Sequence, residues 1–271
     1  MDNPQIIKIQ TEHYTFNVLI KKNYNKDLYY SQYLEVGNPD TPCLSLTINT
    51  PEAADIIGPE SIKTAGLSNI EALYECVEGD AEKLFEQYSF GRELLEWVIN
   101  YIKTNFPHVK YLQLDDISYI PCNRRLHDKL DLLSYNIALY CKTWYELNFS
   151  AFILNKNTYD RYKRNIEIYK SPETKAGMSW EKFYLKNVTN QYTSEIIKNN
   201  EEYYRKMYNE SDTFPTFFRT LSKTIKKEDK CNFFKWWLQN FIGSFINITR
   251  RWVIQLKQDA GHRTTKRKSK K

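Results

Sequence analysis

Glycine is scarce in this chain, 8 in 271 residues. That leaves little material for the glycine-rich loops that cradle phosphate in nucleotide-binding folds. No uninterrupted apolar run is long enough to cross a bilayer, so no transmembrane segment is expected. The opening MDNPQIIKIQTEHY has no basic segment followed by an apolar core, so no signal peptide is expected. The cysteines (Cys43, Cys76, Cys122, Cys141 and Cys231) are odd in number and widely spaced. They read as reduced thiols in an intracellular compartment, not as a disulfide framework. Excess charge is also missing from the body of the chain. The formal net charge is +6, and Arg263, Lys266, Arg267, Lys268, Lys270 and Lys271 supply six basic residues without an acid beside them. The remainder is near neutral, which excludes a strongly basic nucleic-acid-binding body. The basic character is confined to a tail, expected to be disordered over 259–271.

What is present is core-forming material: 41% hydrophobic and 15% aromatic residues. That composition specifies a folded protein, and the length suffices for one large or two modest domains. Partial alternation over Ile6–Leu19 predicts two strands around Thr11–His13, and Tyr29–Val36 and Cys43–Ile48 predict two more around a turn at Gly37–Asp40. Leu73–Val77 reads as a further strand. After Gly91 the apolar residues fall at Leu94, Leu95, Trp97, Val98, Ile99, Tyr101 and Ile102, several of them three, four or seven apart, and Pro107 stops the helix. The stretch VKYLQL (109–114) predicts a strand closed by Asp115–Asp116. A second helix begins at Leu132, capped by Asp131 or Ser134, and ends near Tyr140. The fold class expected is α/β (α+β): a mixed sheet with flanking helices over 1–155, then a helical region over 156–258 packed on it.

The turn before Gly91 carries the candidate chemistry. A helix start presents unpaired amides and the positive end of its dipole, and a glycine lets an anion approach them. Gly91 reads equally well as a plain turn or cap glycine. The order glycine turn, helix, strand, helix ending in Tyr resembles the N-acetyltransferase (GNAT) superfamily, with Gly91-Arg92-Glu93-Leu94-Leu95 matching the family's last glycine and helix start. Ser89 stands at the family's first glycine, and Glu86 at its usual Arg or Gln, with Gln87 beside it. The resemblance implies acetyl-coenzyme A as cofactor, held by Gln87, Ser89, Phe90, Gly91 and Arg92. It implies Tyr140 as the acid that protonates the leaving thiolate, and Glu75 or Glu78 as the base that takes the amine proton. No metal is implied. For each side chain the blander role is open: a packed tyrosine, a solvated glutamate.

A second resemblance rests on the blocks D-x-S-x-x-x-C, with Asp116, Ser118 and Cys122, and KTWYE-x-x-F-x-A, with Lys142 to Glu146, Phe149 and Ala151. These are similar to an uncharacterised family of nucleocytoplasmic large DNA viruses. That implies a viral protein, in the host cytoplasm, nucleus or virion, and no established activity. Cys122 and His127, with Asp115, Asp116 and Asp128 nearby, also admit a thiol or metal site, against a buried thiol and a loop histidine.

The last part of the chain carries the strongest periodicity. Phe234, Leu238, Phe241, Phe245, Ile248 and Trp252 repeat at steps of four and three, which predicts one helix over 234–252. Its aromatic seam is expected to pack on its own domain, to meet a protein partner or second copy, or to lie on a membrane surface. The basic tail is the part expected to meet nucleic acid or an anionic surface. Two functional readings follow: an acyl-CoA N-acyltransferase-like protein, active or degenerate, and a non-catalytic viral scaffold or interaction protein.

Overall fold

The computed structural model describes residues 5–25, 29–38, 41–70, 76–79, 89–116, 119–121, 129–187, 195, 197–246 and 250–256. The protein is α+β, with a seven-stranded mixed sheet in the order β1-β2-β3-β4-β5-β6-β9. By contacts the chain divides into residues 1–113 with 254 onward, and residues 114–253. The boundary expected near residue 155 is therefore not where the contacts divide.

In the first unit β1 (Gln5–Gln10), β2 (Thr15–Asn25), β3 (Tyr29–Asn38), β4 (Thr41–Asn49) and β5 (Thr64–Ile70) form an antiparallel meander. Alternating side chains bury one face: Phe16, Val18 and Ile20 on β2, Leu34 and Val36 on β3, Leu44, Leu46 and Ile48 on β4. That is the period-two pattern of a half-covered sheet. A short helix α1 (Ala54–Ile57) lies in the β4–β5 connection. The segment TAGLSNI of β5 was not predicted, because a glycine and small polar residues hide its alternation. Its place comes from pairing with β4 and from buried Ala65 and Leu67. Val77, from the strand expected at Leu73–Val77, makes an isolated bridge to Phe16; residues 71–75 lie outside the described ones.

Helix α2 (Phe90–Asn105) buries Phe90, Leu94, Leu95, Val98 and Ile102, the face its spacing predicts. It stops one residue before Phe106, where Pro107 forbids continuation. β6 (Tyr111–Asp115) follows and lies beside β5 in the sheet.

The second unit is largely helical. β7 (Tyr119–Pro121) and β8 (Lys129–Asp131) pair as a small ladder. Then come α3 (Leu132–Tyr140), α4 (Trp144–Phe149), α5 (Lys156–Lys170), α6 (Pro172–Ala176), α7 (Trp180–Asn187), α8 (Glu201–Glu210), α9 (Phe214–Thr224) and α10 (Lys227–Phe245). Helix α4 comes directly after α3 and is followed by an isolated bridge between Phe152 and Val253. The core is aromatic. Phe183 stacks on Tyr208 at 4.8 Å and meets Phe241 edge-on at 5.0 Å, and Phe214 meets Phe241 at 5.0 Å. The Lys175 ammonium sits 3.5 Å over the Tyr208 ring, which compensates for its burial.

The C-terminal seam differs from its expectation. The helix ends at Phe245, Ile246 turns extended, and Trp252 lies in β9 (Arg251–Gln255). The run Trp252-Val253-Ile254 favours a strand once β6 offers it an edge. Phe234, Leu238, Phe241 and Ile242 are wholly buried inside the unit. Each is worth about 2–3 kcal/mol in place, so that seam is spent on the core and is not open to a partner or a membrane surface. No helix among the described residues is long and apolar enough to cross a membrane. The basic tail lies outside the described residues.

The cysteines differ too. Cys43 of β4 and Cys76 form a disulfide with a Cα–Cα distance of 6.1 Å across a sequence separation of 33, and Cys231 is also disulfide-bonded. The reduced-thiol expectation fails for these three, and for Cys43 and Cys76 the fold closes a distance that spacing along the chain does not show. Gly37 lies against this bridge at φ +99, and a Cβ there would overlap the Cys76 Sγ. Gly37→Ala is therefore expected to cost on the order of 1–3 kcal/mol, read by denaturant unfolding. Non-reducing peptide mapping should recover Cys43 and Cys76 as one cross-linked species.

Candidate functional site

The start of α2 is built as the first candidate site. Ser89 is its exposed N-cap, at φ −87 and ψ 84, and its side chain makes no capping bond. The amides of Arg92 and Glu93 close onto the Ser89 carbonyl at 3.1 and 3.2 Å. Gly91 is not held in the left-handed region, and a Cβ on it would meet only Ile70 at an ordinary 3.7 Å. Neither backbone geometry nor packing therefore demands glycine here, and the helix start is uncrowded. Phe90 is not exposed to a ligand: it packs edge-on against Tyr14 at 5.3 Å and Phe16 at 5.6 Å. The Arg92 guanidinium pairs with Glu96 at 2.9 Å one turn on. Glu75, Glu86 and Gln87 lie outside the described residues. Glu78 is exposed and paired with Lys8 at 2.6 Å.

Sequence reasoning missed what the next residue does. The Glu93 carboxylate accepts from the Thr11 hydroxyl at 2.6 Å and the His13 amide at 3.1 Å, and its other oxygen meets His13 Nδ1 at 2.6 Å. One side chain in the first turn of α2 so fastens the β1–β2 hairpin. Burial pushes the Glu93 pKa up, but the Thr11 and His13 bonds outweigh it and leave the pKa below the ordinary value.

Tyr140 stands in the second unit, at the last position of α3 and 49% exposed. The helix stops because Cys141 takes a left-handed conformation, φ 58, and its amide bonds the Ile137 carbonyl at 2.9 Å. Tyr140, Cys141 and Lys142 thereby form one wall of a cavity of about 520 Å³. Tyr159, Tyr162, Lys163 and Lys170 of α5 form another, and Thr213, Pro215 and Arg219 close it from the start of α9. None of Ser89, Phe90, Gly91 or Arg92 lines this cavity.

The KTWYE block owes its residue types to this wall. Thr143 caps α4 by accepting the Glu146 amide at 3.2 Å, and Glu146 accepts the Thr143 amide at 2.8 Å, a reciprocal capping box. The same carboxylate accepts the Tyr162 hydroxyl at 2.6 Å. Tyr145 and Ala151 are buried. Burial raises the Glu146 pKa above the ordinary carboxylate value, against the pull of its hydrogen bonds and of Lys142. Burial likewise pushes the Cys141 thiol up, with Lys170 and Arg219 pulling it back. The spacing Thr143-x-x-Glu146 was readable as a cap. So was the face Tyr159, Lys163, Ile166 and Lys170, which repeats at steps of four and three.

Asp116 is buried where its chain meets Arg250: its amide bonds the Arg250 carbonyl at 2.6 Å, and Arg250 Nη1 bonds its carbonyl at 3.0 Å. Ser118, Cys122, Arg124, Arg125, His127 and Asp128 lie outside the described residues. Among the described residues no group of three or more His, Cys, Asp or Glu side chains could hold a metal. Compared with protein-family models, curated proteins and solved structures, the chain matches none.

The two glutamates should respond to pH with opposite slopes. A lowered folded pKa gives Glu93 a stabilising contribution that is full above the ordinary carboxylate range and lost as pH falls through the folded value. Glu93→Gln should cost about 1–2 kcal/mol near neutrality and less in acid. The raised folded pKa of Glu146 gives a contribution present below the ordinary range and lost as pH rises through the folded value. Glu146→Gln should therefore be more costly in acid than near neutrality. Thermal melting of both variants at about pH 4 and about pH 7 reads the two slopes.

Proposed function

We propose that the chain is an acyl-coenzyme A-dependent N-acyltransferase of viral origin with a GNAT-like fold. The observation that carries this reading is the passage from β5 through α2 to β6. An antiparallel meander ends in a bulged strand: Asn69 faces Ser45 and Leu67 faces Leu46, leaving Ser68 as the extra residue. Bulges of this kind bend a strand end and are common beside sites. The chain then re-enters the sheet region through a helix whose first turn is open at Gly91.

In this reading the amides at Gly91 hold coenzyme phosphate, aided by the helix dipole. An acceptor amine attacks the thioester carbonyl, the C–S bond breaks, an acid protonates the leaving thiolate and a base takes the amine's proton, the roles that the resemblance gives to Tyr140 and Glu75. Half-exposure at a cavity wall leaves the Tyr140 side chain accessible for that role. Phe90 drops out as a ligand contact and serves the core.

Titration calorimetry with acetyl-coenzyme A tests the proposal. Wild type should bind, Gly91→Glu should bind about tenfold more weakly or worse by placing a carboxylate against phosphate, and Tyr140→Phe should bind unchanged. In an acyl-transfer assay Tyr140→Phe should lose roughly 100-fold in kcat. No binding heat from wild type at high ligand concentration removes the reading.

A further inference from the structure

The second unit's cavity has a charge balance that the acyl-transfer reading does not use. Six charged side chains line it: Lys142, Lys163, Lys170 and Arg219 against Glu146 and Glu167. Lys170 is neutralised by Glu167 at 2.8 Å, one helical turn away. Glu146 Oε2 is engaged by the Thr143 amide and the Tyr162 hydroxyl, which leaves this carboxylate with one oxygen committed to the wall. Lys142, Lys163 and Arg219 remain, and among the described residues none of the three has a carboxylate within ion-pair distance. The Lys163 ammonium rests 4.2 Å from the centroid of the Tyr159 ring, which holds the cation at the cavity wall. Arg219 has one hydrogen bond among the described residues, from Nη2 to the Thr216 hydroxyl at 3.3 Å, so most of its donors are unspent.

Two further features act in the same direction. The lining residue Thr213 caps α9, an eleven-residue helix, so the positive end of that helix lies at the cavity. Lys170 and Arg219 both bear electrostatically on Cys141, which places their charge at the same wall as the end of α3. The half-exposed Tyr140 supplies a flat apolar surface beside these cations. The volume, about 520 Å³, is that of a small-molecule site.

The geometry points to a binding site for a small phosphate ester in the second unit, with Lys142, Lys163 and Arg219 on the phosphate and Tyr140 against the organic part. None of the residues of the coenzyme turn lines this cavity, and the inference does not rest on acyl transfer. Arg219 matters most, because a planar guanidinium meets phosphate with two parallel donors.

Cys141 reports occupancy, since it is a free thiol in the cavity wall. The full chain is alkylated with iodoacetamide, with and without AMP, ribose 5-phosphate, inorganic phosphate or adenosine, and Cys141 is followed by peptide mass. A phosphate-bearing probe at ten times its Kd should slow Cys141 alkylation about tenfold in wild type. Arg219→Glu and Lys142→Glu, both at exposed positions, should each remove the protection, scored as the ratio with and without probe. Gly91→Glu should leave it intact. AMP protecting beyond ribose 5-phosphate assigns a nucleoside ester, and equal protection assigns the phosphate alone as the recognised group. The inference is overturned if no phosphate-bearing probe protects, if adenosine protects as well as AMP, if protection survives both charge reversals, or if Gly91→Glu abolishes it. Circular dichroism of each variant, with Arg219→Gln and Lys142→Gln replacing any reversal that unfolds, keeps every outcome interpretable.

Discussion

The Glu146 carboxylate accepts the Thr143 amide at 2.8 Å and the Tyr162 hydroxyl at 2.6 Å. Those bonds join the start of α4 to α5. They also settle how the chain leaves α3. Cys141 must go left-handed so that Thr143 can cap the next helix, and that turn aims Tyr140, Cys141 and Lys142 at a common space. Without the carboxylate in this role, one wall of the cavity loses both its helix start and its strut. The cost is a group partly withdrawn from water, which its hydrogen bonds offset only in part.

Glu93 does comparable work in the first unit with the opposite electrostatic result. It too sits in a helix's first turn, where a negative charge is favoured. Its partners are a hydroxyl, an amide and an imidazole, all of which favour the ionised form. The hairpin β1–β2 is thereby pinned to the opening of α2, and Phe90 is driven onto Tyr14 and Phe16. That same opening presents Gly91, so the geometry of the proposed phosphate turn depends on a carboxylate two positions further on.

Much of the fold was legible because it depends on local burial. The alternation of β2 to β4, the apolar face of α2, the stop at Pro107 and the Asp131 cap all appear where the residue spacing puts them. Less of the site was. Tyr140 was found through a family resemblance, but its neighbours Lys163, Lys170 and Arg219 looked like solvated charges on separate polar helices. Their convergence depends on how α5 and α9 pack, which no window of sequence contains. Phe90 shows the reverse error: its place in a motif suggested a ligand contact, whereas its apolar ring was better used against two other rings.

Composition and periodicity by themselves determined a folded α+β chain, the extent of α2, the start of α3, and the confinement of excess basic charge to the last residues. These follow from short-range rules: 3.6- and 2-residue periods, caps, and proline. Tertiary structure alone decided that Cys43 meets Cys76, that β5 joins the sheet, that Trp252 belongs to a strand and not to the helix before it, and that Lys142, Lys163 and Arg219 share one cavity. Each of these brings together residues far apart in the chain. Their pairing is fixed by the summed burial of the elements that carry them, and not by any property of the residues beside them in sequence.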